Sequence, residues 1–198
     1  MRSAAHSQHS VHYVSVSSAP GHKIRLVGDV AAKQGILHVA LTAQGQTGAG
    51  TVIVSGGTAF MRGDAFMLRT YFNLPKAAAT KYAGKWISVP SSNPGYASTS
   101  DLATFSSLLT LLFTQQTKLS LVSSLVNLIG VRGTVHGTGS LTAVTTIFAP
   151  ATGKPLPVKQ IAKSSGDLGS GVITLSNWNE PVHVTEPTAV SISTVVGG

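Results

Sequence analysis

Cysteine is absent from this 198-residue chain, and acidic residues are scarce. Without cysteine there is no disulfide, no thiolate metal site, no cysteine nucleophile and no lipobox cysteine. Six aspartates and glutamates stand against fourteen lysines and arginines, and charged residues make up only 10% of the chain. A typical soluble domain carries about 25% charged residues. This composition, rich in threonine, serine, glycine and valine, favours strands and turns over charged surface helices.

Long apolar runs are also missing. No segment approaches the roughly 20 consecutive apolar residues of a membrane span, and residues 1–10 lack the apolar stretch of a signal peptide. If the protein is exported, we therefore expect this chain to be its mature part. With 42% apolar residues, it is long enough for one well-buried core. We predict a single domain over residues 10–187, a flexible segment over 1–9 and a C-terminal tail over 188–198.

The net charge of +8 is spread along the whole chain. Basic residues form no run, and aromatic residues do not interleave with them as on a nucleic-acid stacking platform. We therefore expect no nucleic-acid partner. A diffuse positive charge would attract anionic lipid headgroups. A need for solubility would explain the positive net charge equally well.

Strand patterns dominate both ends of the chain. Alternating apolar and polar residues, separated by short glycine-containing turns, predict an antiparallel meander near the N-terminus. Its predicted strands are Val11–Val16, Lys23–Ala31, Ile36–Ala43, Gly50–Ser55 and Thr58–Arg62. Later strands are predicted at Lys85–Val89, Gly133–Gly139, Leu141–Phe148, Leu156–Lys163 and Gly171–Leu175.

Helices are predicted in the middle of the chain. Asp64 can cap a short helix that runs to Phe72, and Ala77–Ala83 is a second short piece. Residues 98–101 open a longer helix, whose stripe contains Leu102, Phe105, Leu108, Leu109 and Leu112. A further helix is predicted over Lys118–Ile129, ended by Gly130.

The order of these elements predicts an α+β fold. If the flanking strands share one curved antiparallel sheet, the two leucine-rich helices must bury their stripes against its concave face. Such stripes are usually plain core. The Lys118–Ile129 helix is nevertheless apolar over more than one face, so it must be covered all round, line a cavity or face a partner.

Motifs for chemistry are not found. The seven histidines are terminal or isolated singles without metal-ligand spacing, and no nucleophile elbow or pair of carboxylates appears. The glycine-rich segment 45–50 enters a strand rather than a helix, which excludes a phosphate-binding loop. We predict no enzyme, no catalytic residue, no metal and no cofactor.

The chain resembles the LppX/LprA/LprF/LprG type of cell-envelope lipoprotein, within the LolA-like architecture. The resemblance is carried by the ending Val172–Pro187, by the hairpin Gly50–Asp64 and by Gly84–Ile87. It implies a half-barrel sheet with helices over its hollow and a cavity for acyl chains. It also implies an extracytoplasmic location in the cell envelope, with an N-terminal lipid anchor on the full-length protein.

These observations predict a protein that binds or carries a lipid or glycolipid between sheet and helices. A membrane surface and a membrane transporter are the candidate partners. The alternative is a structural or protein-interaction module of the same fold, in which bulky side chains fill the hollow. The predicted cavity lining consists of Leu37, Val39, Leu41, Val52, Val54, Phe60, Phe105, Leu108, Leu109, Leu112, Leu121 and Leu125.

Overall fold

The described residues of the protein form an α+β fold built on one large sheet of 12 strands. Its structure, a computed structural model, describes residues 1–123, 127–136, 142–164 and 169–197. The strands are β1 Ser10–Ala19, β2 His22–Ala31, β3 Gly35–Ala43, β4 Gln46–Ser55, β5 Thr58–Gly63, β6 Ile87–Pro90, β7 Thr117–Ser123, β8 Leu128–His136, β9 Thr142–Pro150, β10 Lys159–Ser164, β11 Ser170–Ser176 and β12 Val190–Ser191. The helices are α1 Arg2–His6, α2 Ala65–Thr70, α3 Lys76–Lys81, α4 Tyr96–Ser100, α5 Phe105–Leu112 and α6 Ile192–Val196.

The sheet is open and curved, and its strand order is β12-β6-β5-β4-β3-β2-β1-β11-β10-β9-β8-β7. Strands β1 to β6 form one meander and β7 to β11 form another, joined by the antiparallel pair β1–β11. Every pair is antiparallel except β12–β6, which is parallel. The predicted α+β class with a curved antiparallel sheet is therefore confirmed.

The N-terminal meander follows the predicted alternation. On β3, Leu37 and Val39 are buried whereas His38 and Ala40 are exposed, because successive side chains of a strand point to opposite faces. All five predicted strands are present, and β4 begins earlier, at Gln46. We call the side that carries Leu37 and Val39 the helix-bearing face, and the opposite side the outer face.

Helices α2, α3 and α5 share a hydrophobic core with the first six strands. The predicted cap of α2 is confirmed, since the Asp64 carboxylate accepts a hydrogen bond from the Met67 amide at 2.8 Å. The stripe Phe105, Leu108, Leu109 and Leu112 is also buried as predicted. The start of this helix was predicted wrongly. Residues 101–104 separate α4 from α5, and the Thr104 hydroxyl caps α5 by accepting from the Ser107 amide.

The predicted helix over Lys118–Ile129 is wrong. Its described residues belong mainly to β7 and to the start of β8, two strands that pair antiparallel with Leu121 opposite Val131, whereas residues 124–126 lie outside the described residues. Gly130 lies inside β8, where the ring of its cross-strand neighbour Phe148 occupies the space that a side chain at Gly130 would need. The absence of a side chain thus makes room for an aromatic ring, and Gly130 ends no helix.

Both ends of the chain contact the sheet. Ala5 of α1 is buried, and the Asn179 side chain accepts a hydrogen bond from the His9 amide at 2.9 Å. Near the C-terminus, β12 pairs with β6, and Ile192 and Val195 of α6 are buried. No helix in the described ranges is long and apolar enough to cross a membrane.

Candidate apolar ligand-binding site

A row of register-paired residues crosses eight neighbouring strands on the helix-bearing face. Residues directly opposite each other on paired strands lie on the same side of a sheet. From β3 to β7, the row consists of Val39, Leu26, Ser15, Ile173, Gln160, Ile147, Val131 and Leu121. Helices cover the β3 end of this row, whereas Leu121 at the β7 end is 79% exposed. The site lies between these two ends.

A cavity of about 480 Å³ lies over the middle of this face, and we call it the central cavity. The sheet forms its floor, and Tyr71, Leu102 and Leu111 cover it from the helical side. Its other apolar lining residues are Ile24, Leu26, Val135, Ala143, Ala162, Gly171 and Ile173. Its polar lining residues are Ser15, Ser17, Thr114, Gln116, Thr145 and Gln160.

Two of these polar side chains are almost fully buried. Gln160 is 6% exposed and its Nε2 donates to the Leu112 carbonyl at 3.3 Å, which ties the end of α5 to the sheet. Thr145 is also 6% exposed, and its hydroxyl has no hydrogen-bond partner within the described residues. Buried hydroxyls normally find a partner, so the Thr145 hydroxyl is an unused polar group in the cavity wall.

The cavity wall carries no basic side chain among the described residues. Tyr71 is its titratable group. Burial, and to a lesser extent the Asp101 carboxylate, raise the pKa of the Tyr71 phenol and keep it neutral. The central cavity is therefore largely apolar, with uncharged hydrogen-bonding groups.

A second cleft of about 560 Å³ adjoins the central cavity at the end of α5, and we call it the side cleft. The two share Thr114 and Gln116 as lining residues. The side cleft is further lined by Met1, Arg2, Phe113, Gln115, Leu119, Val131 and Ile147. The strand residues that line the two sites come from β1, β2 and β7 to β11.

The apolar surface continues from the side cleft to the β7 edge of the sheet. Leu119 is 64% exposed and Ile129 is 43% exposed, and Ile129 pairs with Ala149 on the face that carries Ile147. Segment 102–164 contains no acidic residue. Its basic residues are Lys118, Arg132, Lys154, Lys159 and Lys163. By strand register, Leu121 and Ile129 lie on the helix-bearing face, whereas Arg132, Lys159 and Lys163 alternate to the outer face.

The residues predicted to line a cavity mostly form solid core. Leu41 is half-buried, Leu121 lies exposed on the edge strand, and Leu125 lies outside the described residues. The remaining nine are buried: Leu37, Val39, Val52, Val54, Phe60, Phe105, Leu108, Leu109 and Leu112. None of the described residues of this set lines the central cavity or the side cleft.

The sequence reasoning missed the residues that do line the central cavity. Leu26 on β2 and Ile173 on β11 lie on either side of Ser15 on β1, which pairs with both. Gln160 and Thr145 carry no motif. The alternation of Thr145, Ile147 and Ala149 in a strand was the available signal, because it places all three on one face.

Titratable groups also meet on the outer face. The Nδ1 of His12 and a carboxylate oxygen of its cross-strand neighbour Asp29 lie 2.7 Å apart. They border a cleft of about 320 Å³, whose described lining residues include Glu180 and His183 but no serine, threonine or cysteine. No group of three or more potential metal ligands is present in the described part of the chain.

Comparisons with known proteins leave the family open. No family model and no curated protein matches the chain. Among solved structures, it is similar to the hypothetical protein CT021 from Chlamydia trachomatis, with 9% sequence identity and a TM-score of 0.34. That match covers 89% of this chain and 92% of the other. A similarity at this level carries no argument about function.

Proposed function

We propose that the protein binds a lipid or a similar apolar chain in the central cavity and acts as a carrier rather than an enzyme. The observation that supports this is the cavity itself. It measures about 480 Å³, within the roughly 300–1,000 Å³ of ordinary ligand pockets. Each acyl methylene removed from water there contributes about 0.8 kcal/mol, so such a site needs no sequence motif.

In this proposed function, the helix-bearing face is the concave face of the curved sheet, and α5 lies across it. The lipid would then bind outside the cavity lining that was predicted from the sequence. The predicted lining around Leu37, Val52 and Leu108 packs as solid core on one side of α5. The ligand would lie on the other side, against Leu26, Ile173 and Leu111.

A membrane surface is the proposed source of the ligand. Leu119 and Leu121 project from the edge strand, beside the side cleft, in a segment without acidic residues. Exposed apolar side chains favour insertion into a bilayer, and the basic residues of the adjacent outer face favour an anionic one. Four further hypotheses accompany this proposal: an extracytoplasmic location, a lipid anchor, a transporter partner and membership of the LppX type of lipoprotein.

The alternative function is a non-enzymatic protein-interaction module. It is favoured by the filled core under α2, α3 and α5, and by the open edge of β7, whose backbone could pair with a strand of another protein. In that case the exposed leucines would contact a protein rather than a lipid.

Extraction of the purified protein with organic solvent, followed by mass spectrometry, tests the carrier function. We expect co-purified lipid, and uptake of a fluorescent acyl methyl ester by the delipidated protein. Ala162→Leu would narrow the central cavity and lower that uptake. Ala40→Leu is the matched control, since Ala40 is exposed on the outer face. No extracted lipid together with no uptake by the unmodified protein would overturn the carrier function and leave the interaction module.

A further inference from the structure

The hydroxyl of Thr145 has no hydrogen-bond partner among the described residues. Its direct cross-strand neighbours on the helix-bearing face are Gly133 on β8 and Ala162 on β10. Neither has a side chain that can form a hydrogen bond. Gln160, a diagonal neighbour on β10, uses its Nε2 to hold the Leu112 carbonyl. The hydroxyl therefore retains hydrogen-bonding capacity, and Thr145 is one of the residues that line the central cavity.

The charge of the surrounding wall limits what this hydroxyl can bind. An ionised carboxylate or phosphate loses its hydration on entering an apolar cavity, and it needs an opposite charge to compensate. The described wall of the central cavity offers no lysine, arginine or histidine. A neutral ester, amide or hydroxyl loses less hydration, and one hydrogen bond from a buried hydroxyl compensates much of it.

We propose that the central cavity selects uncharged lipids that carry an ester, amide or hydroxyl group, and that Thr145 is the residue that recognises this group. This inference rests on the proposed lipid-carrier function and specifies its ligand class. Ser15 and Ser17, on the far side of the cavity floor, add further neutral hydrogen-bonding groups. The basic residues of segment 102–164 do not line the central cavity, so they cannot compensate the charge of a ligand there, and Arg2 lines the adjoining side cleft instead.

Three fluorescent probes with the same acyl chain test the selection: a methyl ester, the free acid at about pH 8, where a carboxyl group is ionised, and the corresponding alkane. We expect the ester to bind more tightly than the free acid. In Thr145→Val the ester should lose about 3- to 10-fold in affinity, the range of one net hydrogen bond, while the alkane is unaffected. The unliganded variant should also melt at a higher temperature, because a buried hydroxyl without a partner has been removed.

Thr146→Val is the matched control. Thr146 is the next residue on β9 and points to the outer face, where it pairs with Arg132 and Ile161. Its substitution should leave all three affinities unchanged. Equal or tighter binding of the free acid, or an unchanged ester-to-alkane ratio in Thr145→Val, would overturn the selection while the carrier function stands. Failure of all three probes to bind would overturn both.

Discussion

The Tyr13 hydroxyl donates a hydrogen bond to the carbonyl oxygen of Leu102 at 2.7 Å. Tyr13 lies on β1, fully buried, with its ring over Gly28 of β2. Leu102 belongs to the segment between α4 and α5, has a φ of 59° and lines the central cavity. This hydrogen bond therefore fixes the strained loop that contains Leu102 to the sheet. That loop covers the candidate site.

Removal of that hydrogen bond should destabilise the protein. Tyr13→Phe keeps the ring but leaves the Leu102 carbonyl without its donor, which costs about 1–3 kcal/mol in the free energy of unfolding. Urea denaturation measures this loss. Tyr96→Phe is the control, since the Tyr96 hydroxyl forms no hydrogen bond with the described residues, and it should change stability by well under 1 kcal/mol. Equal losses in the two variants would contradict the role of the bond.

Alkaline pH should weaken the fold through the same tyrosine. Burial, then Tyr71 and Asp101, raise the pKa of Tyr13 far above its usual value of about 10. Above pH 10 the unfolded chain releases this proton and the folded chain retains it, so stability is complete below about pH 10 and falls as the pH rises. The slope is about 1.4 kcal/mol per pH unit for one such group. In Tyr13→Phe, denaturation at pH 9 to 11 should show a shallower decline; an identical slope would contradict the assignment.

Gly35 should not tolerate a side chain. A Cβ added there would overlap the carbonyl oxygen of Ala103, which lies in the same loop as Leu102. Gly35→Ala must push this loop away from β3, and overpacking of this kind costs about 1–3 kcal/mol. Gly171→Ala is the control, because a Cβ on that strand glycine would make only ordinary contacts, starting at 3.5 Å. Thermal unfolding should show a clear loss for Gly35→Ala and little change for Gly171→Ala.

The exposed leucines of β7 should contribute to binding of membranes and not to the stability of the fold. The double substitution Leu119→Ser and Leu121→Ser removes side chains that are 64% and 79% exposed, so the melting temperature should stay nearly constant. Co-sedimentation with vesicles containing anionic phospholipid should fall about tenfold or more, since each buried leucine contributes about 1.5–3 kcal/mol. Val196→Ser, a change at another exposed apolar residue, is the control on α6. Unchanged sedimentation of the double variant would exclude β7 as the membrane contact.

The sequence predicted the elements best where local patterns had one interpretation. Alternating residues and glycine turns identified β1 to β5, and the Asp64 cap identified α2. The Lys118–Ile129 segment was interpreted only as a helix because Leu121, Leu125 and Leu128 fit a helical stripe, although Leu119 and Leu121 also alternate as in a strand. The pairing of Leu121 with Val131 is a tertiary relationship, and it decided in favour of the strand.

Composition and local patterns were enough to predict a strand-rich α+β chain without cysteine chemistry and with a buried leucine stripe on α5. The position of the candidate site, in contrast, is a consequence of tertiary packing. The central cavity depends on β1 pairing with β11, which joins Ser15 to Ile173, and on Thr145 lying between Gly133 and Ala162. Strand pairing over such distances follows from the packing of the whole sheet. Local sequence fixes which way a side chain alternates, but not which distant strand becomes its neighbour.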